Sequence, residues 1–228
     1  MQICEELIKL YTNGYLRLFS LKCSVSGAYP LPKGPKIIAA NHPNATDSFH
    51  LVPVLEETPR FLMRSKLFSK PLIGWLLNKA GQIQVANKGK RSFEQACALL
   101  RSGQTIVIYP EGRLNPGYEV MKGKSGAIRM ALAANVPIIP LGIYIPPEHV
   151  KDLRLHLNGH LSKGCWQVSG TCHLRFGTPW MPELPEERPA EIHHLSKILM
   201  NRIYTLVNET KKELTCESPT SLNPIPQW

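Results

Sequence analysis

A histidine and an aspartate stand five residues apart in IAANHPNATDSFHLVP, residues 38–53, just after a short apolar stretch. Asp47 is one of only two aspartates in the 228-residue chain. A neutral imidazole can take the proton of a hydroxyl group, and a carboxylate on its other nitrogen fixes the tautomer and stabilises the imidazolium. His42 and Asp47 are therefore candidates for a general base and its orienting partner. A helix-capping Asp47 beside a surface histidine is the alternative.

A second polar group follows the apolar stretch QTIVIYP and consists of Glu111, Gly112 and Arg113. The forked guanidinium of an arginine suits phosphate recognition, and Glu111 could orient either that arginine or a substrate hydroxyl. An isolated structural ion pair between Glu111 and Arg113 is the other interpretation.

The elements that must position these groups alternate along the chain. KIIAA, QTIVIYP and PIIPLGIYI read as buried strands, and amphipathic helices lie between them, with Thr46 or Asp47 as one helix cap and Ser92 as another. The segment CWQVSGTCHLRFG suits edge strands or a hairpin. The alternation predicts an α/β fold with a mostly parallel sheet flanked by helices. Since ligands gather beyond the carboxyl ends of such strands, both polar groups are expected at one edge.

The two ends of the chain are expected to differ from this central domain. We divide the chain into an N-terminal amphipathic helix (1–28), an α/β domain (29–214) and a disordered tail (215–228). The N-terminal helix carries an apolar stripe with basic residues alongside, which suits either packing on the protein's own core or lying in a bilayer interface. No stretch reaches the 18 to 20 or so apolar residues of a spanning helix.

The formal net charge of +10 is concentrated in one region. Residues 60–129 hold thirteen Lys or Arg and three acidic residues, whereas the rest of the chain balances fourteen against fourteen. Such a field attracts nucleic acid, an anionic bilayer, a phosphorylated substrate or an acidic carrier protein, or merely keeps the surface solvated. Nucleic acid is not the expected partner, because aromatic residues are not interleaved with the basic ones.

Three other chemistries lack the spacing they require. The six cysteines are scattered, and Cys165, Cys172 and His173, with His160 nearby, lack the close cysteine pair of a structural zinc site. The segment GYEVMKGKS has five residues between its glycines, where a phosphate loop has four. No G-x-S-x-G occurs. We expect reduced thiols, no metal and no resident cofactor.

Taken in order, four blocks across residues 37–144 resemble the PlsC-type glycerolipid acyltransferase family, the 1-acylglycerol-3-phosphate acyltransferases and their relatives. Asn41, His42 and Asp47 match N-H-x4-D, and YPEGR resembles F-P-E-G-T-R. The other two are the segment from Arg60 to Val85, which includes Lys66, and VPIIPLGI. The chain departs from the pattern because the threonine of the third block is missing and Ala86-Asn87-Lys88 replaces an arginine that often follows the second.

This resemblance implies direct transfer of a fatty acyl group from acyl-CoA or acyl carrier protein to the hydroxyl of a lysophosphatidic acid-like glycerolipid. His42 would be the base and Asp47 its partner, while Glu111, Gly112, Arg113, Lys66 and Asn41 would bind substrate. The protein is expected in the cytoplasm, peripherally associated with the membrane. The departures leave open another acceptor, namely a lyso-ornithine lipid, a lysophospholipid or a glycolipid. A catalytically silent lipid-binding relative is a separate alternative.

Overall fold

Nine strands and seven α-helices occur in the residues that the computed structural model describes, which are 2–85, 89–157, 160–183 and 189–216. The strands are β1 (Lys22–Gly27), β2 (Lys36–Ala40), β3 (Arg60–Arg64), β4 (Ile83–Val85), β5 (Thr105–Ile108), β6 (Ile138–Tyr144), β7 (Val150–Leu157), β8 (His160–Gln167) and β9 (Thr171–Phe176). The helices are α1 (Gln2–Leu18), α2 (Asp47–Val54), α3 (Ser65–Phe68), α4 (Pro71–Lys79), α5 (Lys90–Arg101), α6 (Gly126–Ala134) and α7 (Pro189–Cys216).

Seven strands form the main sheet in the order β1-β9-β6-β2-β5-β3-β4, and β7 and β8 form a separate hairpin. All neighbours in the main sheet are parallel except β6 and β9. The mostly parallel α/β fold predicted from the alternation of strands and helices is therefore confirmed. Because β2, β5 and β6 are adjacent and parallel, the segments that follow them meet at one edge.

The sheet is buried on both faces, and the period of two along each strand explains how. In β2, Ile37 and Ala39 join a core with α5, α6 and α7, whereas Ile38 and Ala40 join a core with α2. All five residues of β2 are buried. Strands covered on both faces are continuously apolar rather than alternating, which is why these segments stand out in the sequence.

Two parts of the predicted organisation need correction. The N-terminal helix ends at Leu18, and β1 pairs with β9 in the main sheet, so the α/β domain includes residues that the division at 28 left out. The segment KCSVSG alternates in the way that a half-buried edge strand does. Moreover, β9 lies between β1 and β6 and is not an edge strand.

At the other end of the chain, α7 includes Thr215 and Cys216, which we had placed in the tail. Residues 217–228 lie outside the described part. The predicted cap of α5 is also displaced: Gly89 precedes the helix, and the hydroxyl of Ser92 donates to the Gly89 carbonyl at 2.8 Å.

Helix α1 packs against α2 and contacts α4. Its Glu5 accepts a hydrogen bond from the buried Arg60 at 2.7 Å, and the ring of Tyr15 packs edge-on against Phe49. Several apolar side chains of α1 are nevertheless exposed. Together with exposed apolar residues of α3 and α4 they make up what we call the α1–α4 surface, which consists of Ile3, Leu7, Leu10, Tyr11, Leu18, Leu67, Leu72, Ile73 and Trp75.

Candidate active site

His42 and Asp47 face each other where the chain leaves β2. The Nδ1 atom of His42 lies 2.9 Å from Oδ2 of Asp47, with 22% of the histidine side chain exposed and the aspartate side chain fully buried. The loop between them folds back because α2 begins at Asp47. With Nδ1 bonded to a carboxylate, the other ring nitrogen, Nε2, is left to act on a substrate.

The Asp47 carboxylate has a second donor. The backbone N–H of Asn44 donates to the same Oδ2 at 3.0 Å. Burial raises the pKa of Asp47 above its usual value, and the hydrogen bond and charge of His42, together with the Asn44 N–H, oppose that rise. Two donors on one oxygen favour the carboxylate form, which is the form that orients an imidazole.

Asn41 fixes the position of this loop. Its side-chain amide donates to the carbonyl of Ile143 at 2.8 Å and its oxygen accepts the Ile143 N–H at 2.7 Å. Both polar ends of the buried side chain are thus used to join the end of β2 to β6. A contact of Asn41 with substrate stays a prediction.

The ring of Tyr109 supports the imidazole from one side. The two rings are stacked, with centroids 4.0 Å apart and planes 12° apart. The Tyr109 hydroxyl lies 3.0 Å from that of Ser48 in α2. The strand that ends at Ile108 therefore also sets the orientation of His42.

Glu111 is buried beside His42 and does not pair with Arg113. Its Oε1 accepts a hydrogen bond from the hydroxyl of Tyr204 at 2.6 Å, while Oε2 has no hydrogen-bond partner within the described part of the chain. Burial raises the pKa of Glu111, and the Tyr204 hydroxyl and the nearby charge and backbone of His42 oppose the rise. The ion-pair interpretation of Glu111 and Arg113 is therefore wrong.

Two cations lie against Gly112, whose backbone has φ +67°. A Cβ atom added at this position would be 2.6 Å from Nζ of Lys124, and Arg64 donates to the Gly112 carbonyl at 2.9 Å. Arg113 and Lys66 are also exposed, Lys66 on α3 directly after Arg64. Across the described residues, none of these four side chains has a carboxylate within 4.0 Å.

Sequence reasoning missed Lys124, Tyr109, Asn115 and Tyr204. Their only signal was position: Tyr109 follows β5 directly, whereas Tyr204 is distant in sequence and looks like any tyrosine on an amphipathic helix. A cavity of about 540 Å³ lies elsewhere, between α7 and the end of β9, and is lined by none of the predicted site residues.

The two cysteines considered as zinc ligands lie in different surroundings. Cys165 donates to Asp152 at 2.7 Å, while Cys172 is buried in the core beside α2. No three His, Cys, Asp or Glu residues converge on a metal position in the ranges that the structure describes.

A histidine held by a buried carboxylate at the carboxyl edge of a parallel sheet, with cations nearby, has the geometry needed to activate an alcohol for group transfer. The chain belongs to the acyltransferase family, because the family's model, described as Acyltransferase, matches residues 22–144.

Individual relatives agree with this family. The chain is 31% identical to a 1-acyl-sn-glycerol-3-phosphate acyltransferase of Borreliella burgdorferi over 57% of its own length and 54% of that protein. It is 27% identical to a lyso-ornithine lipid O-acyltransferase of Pseudomonas aeruginosa over 65% of its own length and 60% of that protein.

The fold is shared with the crystal structure of the 1-acyl-sn-glycerophosphate acyltransferase PlsC from Thermotoga maritima. The TM-score is 0.68 at 22% identity, over 91% of this chain and 79% of that chain. The chain spans between about a third and about a half of the length of the first curated relatives that it matches.

Proposed function

We propose that the protein transfers a fatty acyl group from a thioester, on coenzyme A or acyl carrier protein, to the hydroxyl of a lysophosphatidic acid-like glycerolipid. The observation that carries this proposal is the 2.9 Å contact between His42 and the fully buried Asp47, in a chain of the acyltransferase family. The Borreliella relative is named for a lysophosphatidic acid acceptor, which supports that choice of alcohol.

In the proposed reaction Nε2 of His42 takes the proton of the acceptor hydroxyl as its oxygen attacks the thioester carbonyl. Asp47 stabilises the imidazolium through Nδ1–H, and Tyr109 keeps the ring in plane. The tetrahedral intermediate then collapses, the C–S bond breaks, and the thiolate leaves with the proton from Nε2. The products are the ester and the free thiol, and no acyl-enzyme forms.

The cations around Gly112 suit the phosphate of the acceptor. Arg64 and Lys124 flank this glycine, and Arg113 follows it directly. In the family pattern the arginine falls one position later, where this chain has Leu114. We propose that Lys124 compensates for this shift of the arginine by adding a positive charge beside Gly112. Lys66 of α3 would add a further positive charge.

The acceptor and a membrane surface would meet the protein at the α1–α4 surface. Trp75 and Leu72 are 51% and 78% exposed there. Basic residues occur in the same segment: Lys66 on α3, Lys70 between the helices and Lys79 on α4. Exposed aromatic and aliphatic side chains bordered by lysines are typical of proteins that bind an anionic bilayer interface. None of the helices that the structure describes is long and apolar enough to cross a membrane.

Acylation of a lyso-ornithine lipid is the second candidate, favoured by the Pseudomonas relative. One experiment tests the proposal: purified protein is incubated with acyl-CoA, or with acyl carrier protein, and a panel of lyso-lipids, while thiol release is followed. Wild type should release thiol only when a suitable acceptor is present. His42→Ala should be at least about 10²-fold slower, whereas His193→Ala, which removes an exposed histidine of α7, should match wild type. No release by wild type with any pair would overturn acyl transfer.

A further inference from the structure

We infer that Tyr204 and Asn115 are positioning residues that hold Glu111 and the His42 loop in place for the reaction. The C-terminal helix α7 then contributes to the active site, although it lies outside the residues 22–144 that the family model matches. The inference rests on the proposed function, because it concerns support of the same site.

The first step is a continuous path of short hydrogen bonds. The backbone N–H of Asn115 donates to the carbonyl of His42 at 2.7 Å. The Asn115 side chain donates to the Tyr204 hydroxyl at 2.6 Å, and that hydroxyl donates to Oε1 of Glu111 at 2.6 Å. Glu111, Asn115 and Tyr204 are all buried. The Asn115 N–H thus joins the segments that follow β2 and β5, and one tyrosine of α7 ties Asn115 to Glu111 within the second of these segments.

The direction of these hydrogen bonds is fixed by the number of protons available. Nδ2 of Asn115 has two, and it donates them to the Glu119 carbonyl at 2.7 Å and to Tyr204. The single hydroxyl proton of Tyr204 is then given to Glu111, so Oε1 of Glu111 is an acceptor. A donated hydrogen bond favours the charged carboxylate.

The other carboxylate oxygen of Glu111 is left available. Oε2 is buried and has no partner among the described residues, in a side chain that is only 4% exposed. An unpaired buried carboxylate oxygen is unfavourable, and such groups are found where a site awaits a ligand donor. Tyr204 holds one oxygen, and the hydroxyl of the acceptor would donate to the other.

The position of α7 along the sheet is itself constrained on both sides of Tyr204. A Cβ atom at Gly142 of β6 would lie 2.8 Å from both the Leu206 Cβ and the Val207 backbone N, and one at Gly123 would lie 2.5 Å from Met200 Cγ. The two glycines let the helix approach closely at Met200 and again at Leu206. This close packing brings the Tyr204 hydroxyl within reach of Glu111 and restricts its movement.

The test is a double-mutant cycle in the thiol-release assay, in which the acceptor is varied at saturating acyl donor and the donor is varied at saturating acceptor. Tyr204→Phe should lower kcat/KM for the acceptor about tenfold, mainly by raising the acceptor KM, and should leave the donor KM unchanged. In a protein that already carries Glu111→Gln, Tyr204→Phe should lower kcat/KM by less than about a further threefold, because its effect acts through the Glu111 carboxylate. Asn115→Ser should show the same coupling and serves if Tyr204→Phe folds poorly, as judged by thermal unfolding.

The matched control is Tyr118→Phe. This removes the partly buried hydroxyl of a tyrosine three residues after Asn115. That hydroxyl bonds the backbone of Ile145 at 2.8 and 3.0 Å and has no hydrogen bond to Glu111. In the double variant with Glu111→Gln, the fold-loss in kcat/KM should equal the product of the two single fold-losses. Two results with an active wild type would contradict the positioning role. One is that the fold-losses in kcat/KM of Tyr204→Phe and Glu111→Gln multiply in the double variant; the other is that Tyr204→Phe has the same kcat/KM as wild type. An inactive wild type would instead remove the proposed function and this inference with it.

Discussion

The imidazole of His42 and the carboxylate of Asp47 are joined by a 2.9 Å contact at the end of the strand that precedes them. Because Asp47 is also the first residue of α2, the pair links the sheet edge to a helix. Any change that moves α2 therefore moves the partner of the proposed base.

We expect Asp47→Asn to lower kcat by about 10²- to 10⁴-fold, since the amide cannot stabilise the imidazolium and can hold the ring in the wrong tautomer. The measurement is steady-state thiol release at saturating donor and acceptor. Asp152→Asn is the matched control, because it changes the only other aspartate in the chain, whose side chain is exposed. A loss of less than about threefold in Asp47→Asn would show that the carboxylate does not assist the base.

A second prediction concerns the charge beside Gly112. Lys124→Met should raise the KM for a phosphate-bearing acceptor about tenfold, since one cation next to the proposed phosphate position is lost. The KM for an uncharged monoacylglycerol should be unaffected. Lys122→Met removes an exposed lysine two residues earlier and should leave both constants unchanged. Equal effects of the two variants would point to long-range attraction rather than contact with the phosphate.

A third prediction tests the α1–α4 surface by vesicle sedimentation. Leu72→Asp should weaken binding to anionic phosphatidylglycerol vesicles by about 30-fold or more, because burying a leucine in an apolar environment contributes about 2 kcal/mol. The control is Val120→Asp, which places the same charge at an apolar residue that is 65% exposed but lies outside that surface. Similar binding by both variants and wild type would place membrane contact elsewhere.

A fourth prediction follows from a buried histidine that the proposed reaction does not use. Burial lowers the pKa of His50 from 6.5 to about 4, although its hydrogen bond to Gln167 opposes the shift. Between these values the unfolded chain takes up a proton that the folded protein excludes, so stability falls as the pH decreases from 6.5 towards 4.

Urea unfolding at pH 7 and pH 5 measures this effect. The unfolding free energy of wild type should fall by about 2 kcal/mol more than that of His50→Gln, which keeps a donor towards Gln167 but has no titrating group. The other titrating residues are present in both proteins and cancel in the comparison. An identical pH dependence would mean that His50 does not remain neutral in the folded state.

The parts of the fold that the sequence predicted well are those governed by local pattern. The apolar strands β2, β5 and β6 are bounded by polar residues, and parallel pairing brings those residues to one edge; this placed His42 and Glu111 together. The helix α7 was recognised from its opening Pro189 and its apolar period.

The parts that were missed depend on contacts between distant segments. The pairing of β1 with β9 joins residues 22–27 to residues 171–176, and neither segment contains a signal for its partner. The contact of Tyr204 with Glu111 likewise depends on where α7 crosses β6. That crossing depends on the absence of a side chain at Gly142, whose meaning is visible only when the helix is seen against it.

The buried ion pair between Glu5 and Arg60 determines how the protein would meet a bilayer. Swinging α1 away from the domain would leave the buried Arg60 guanidinium without its carboxylate, with only Gln104 and the Ala80 carbonyl as acceptors, which is destabilising. We therefore expect α1 to stay docked on the domain rather than to act as a flexible tether. Binding of α1 to a vesicle surface would then fix the depth and tilt of the whole molecule. An acceptor lipid would be selected partly by the distance of its hydroxyl from the acyl chains.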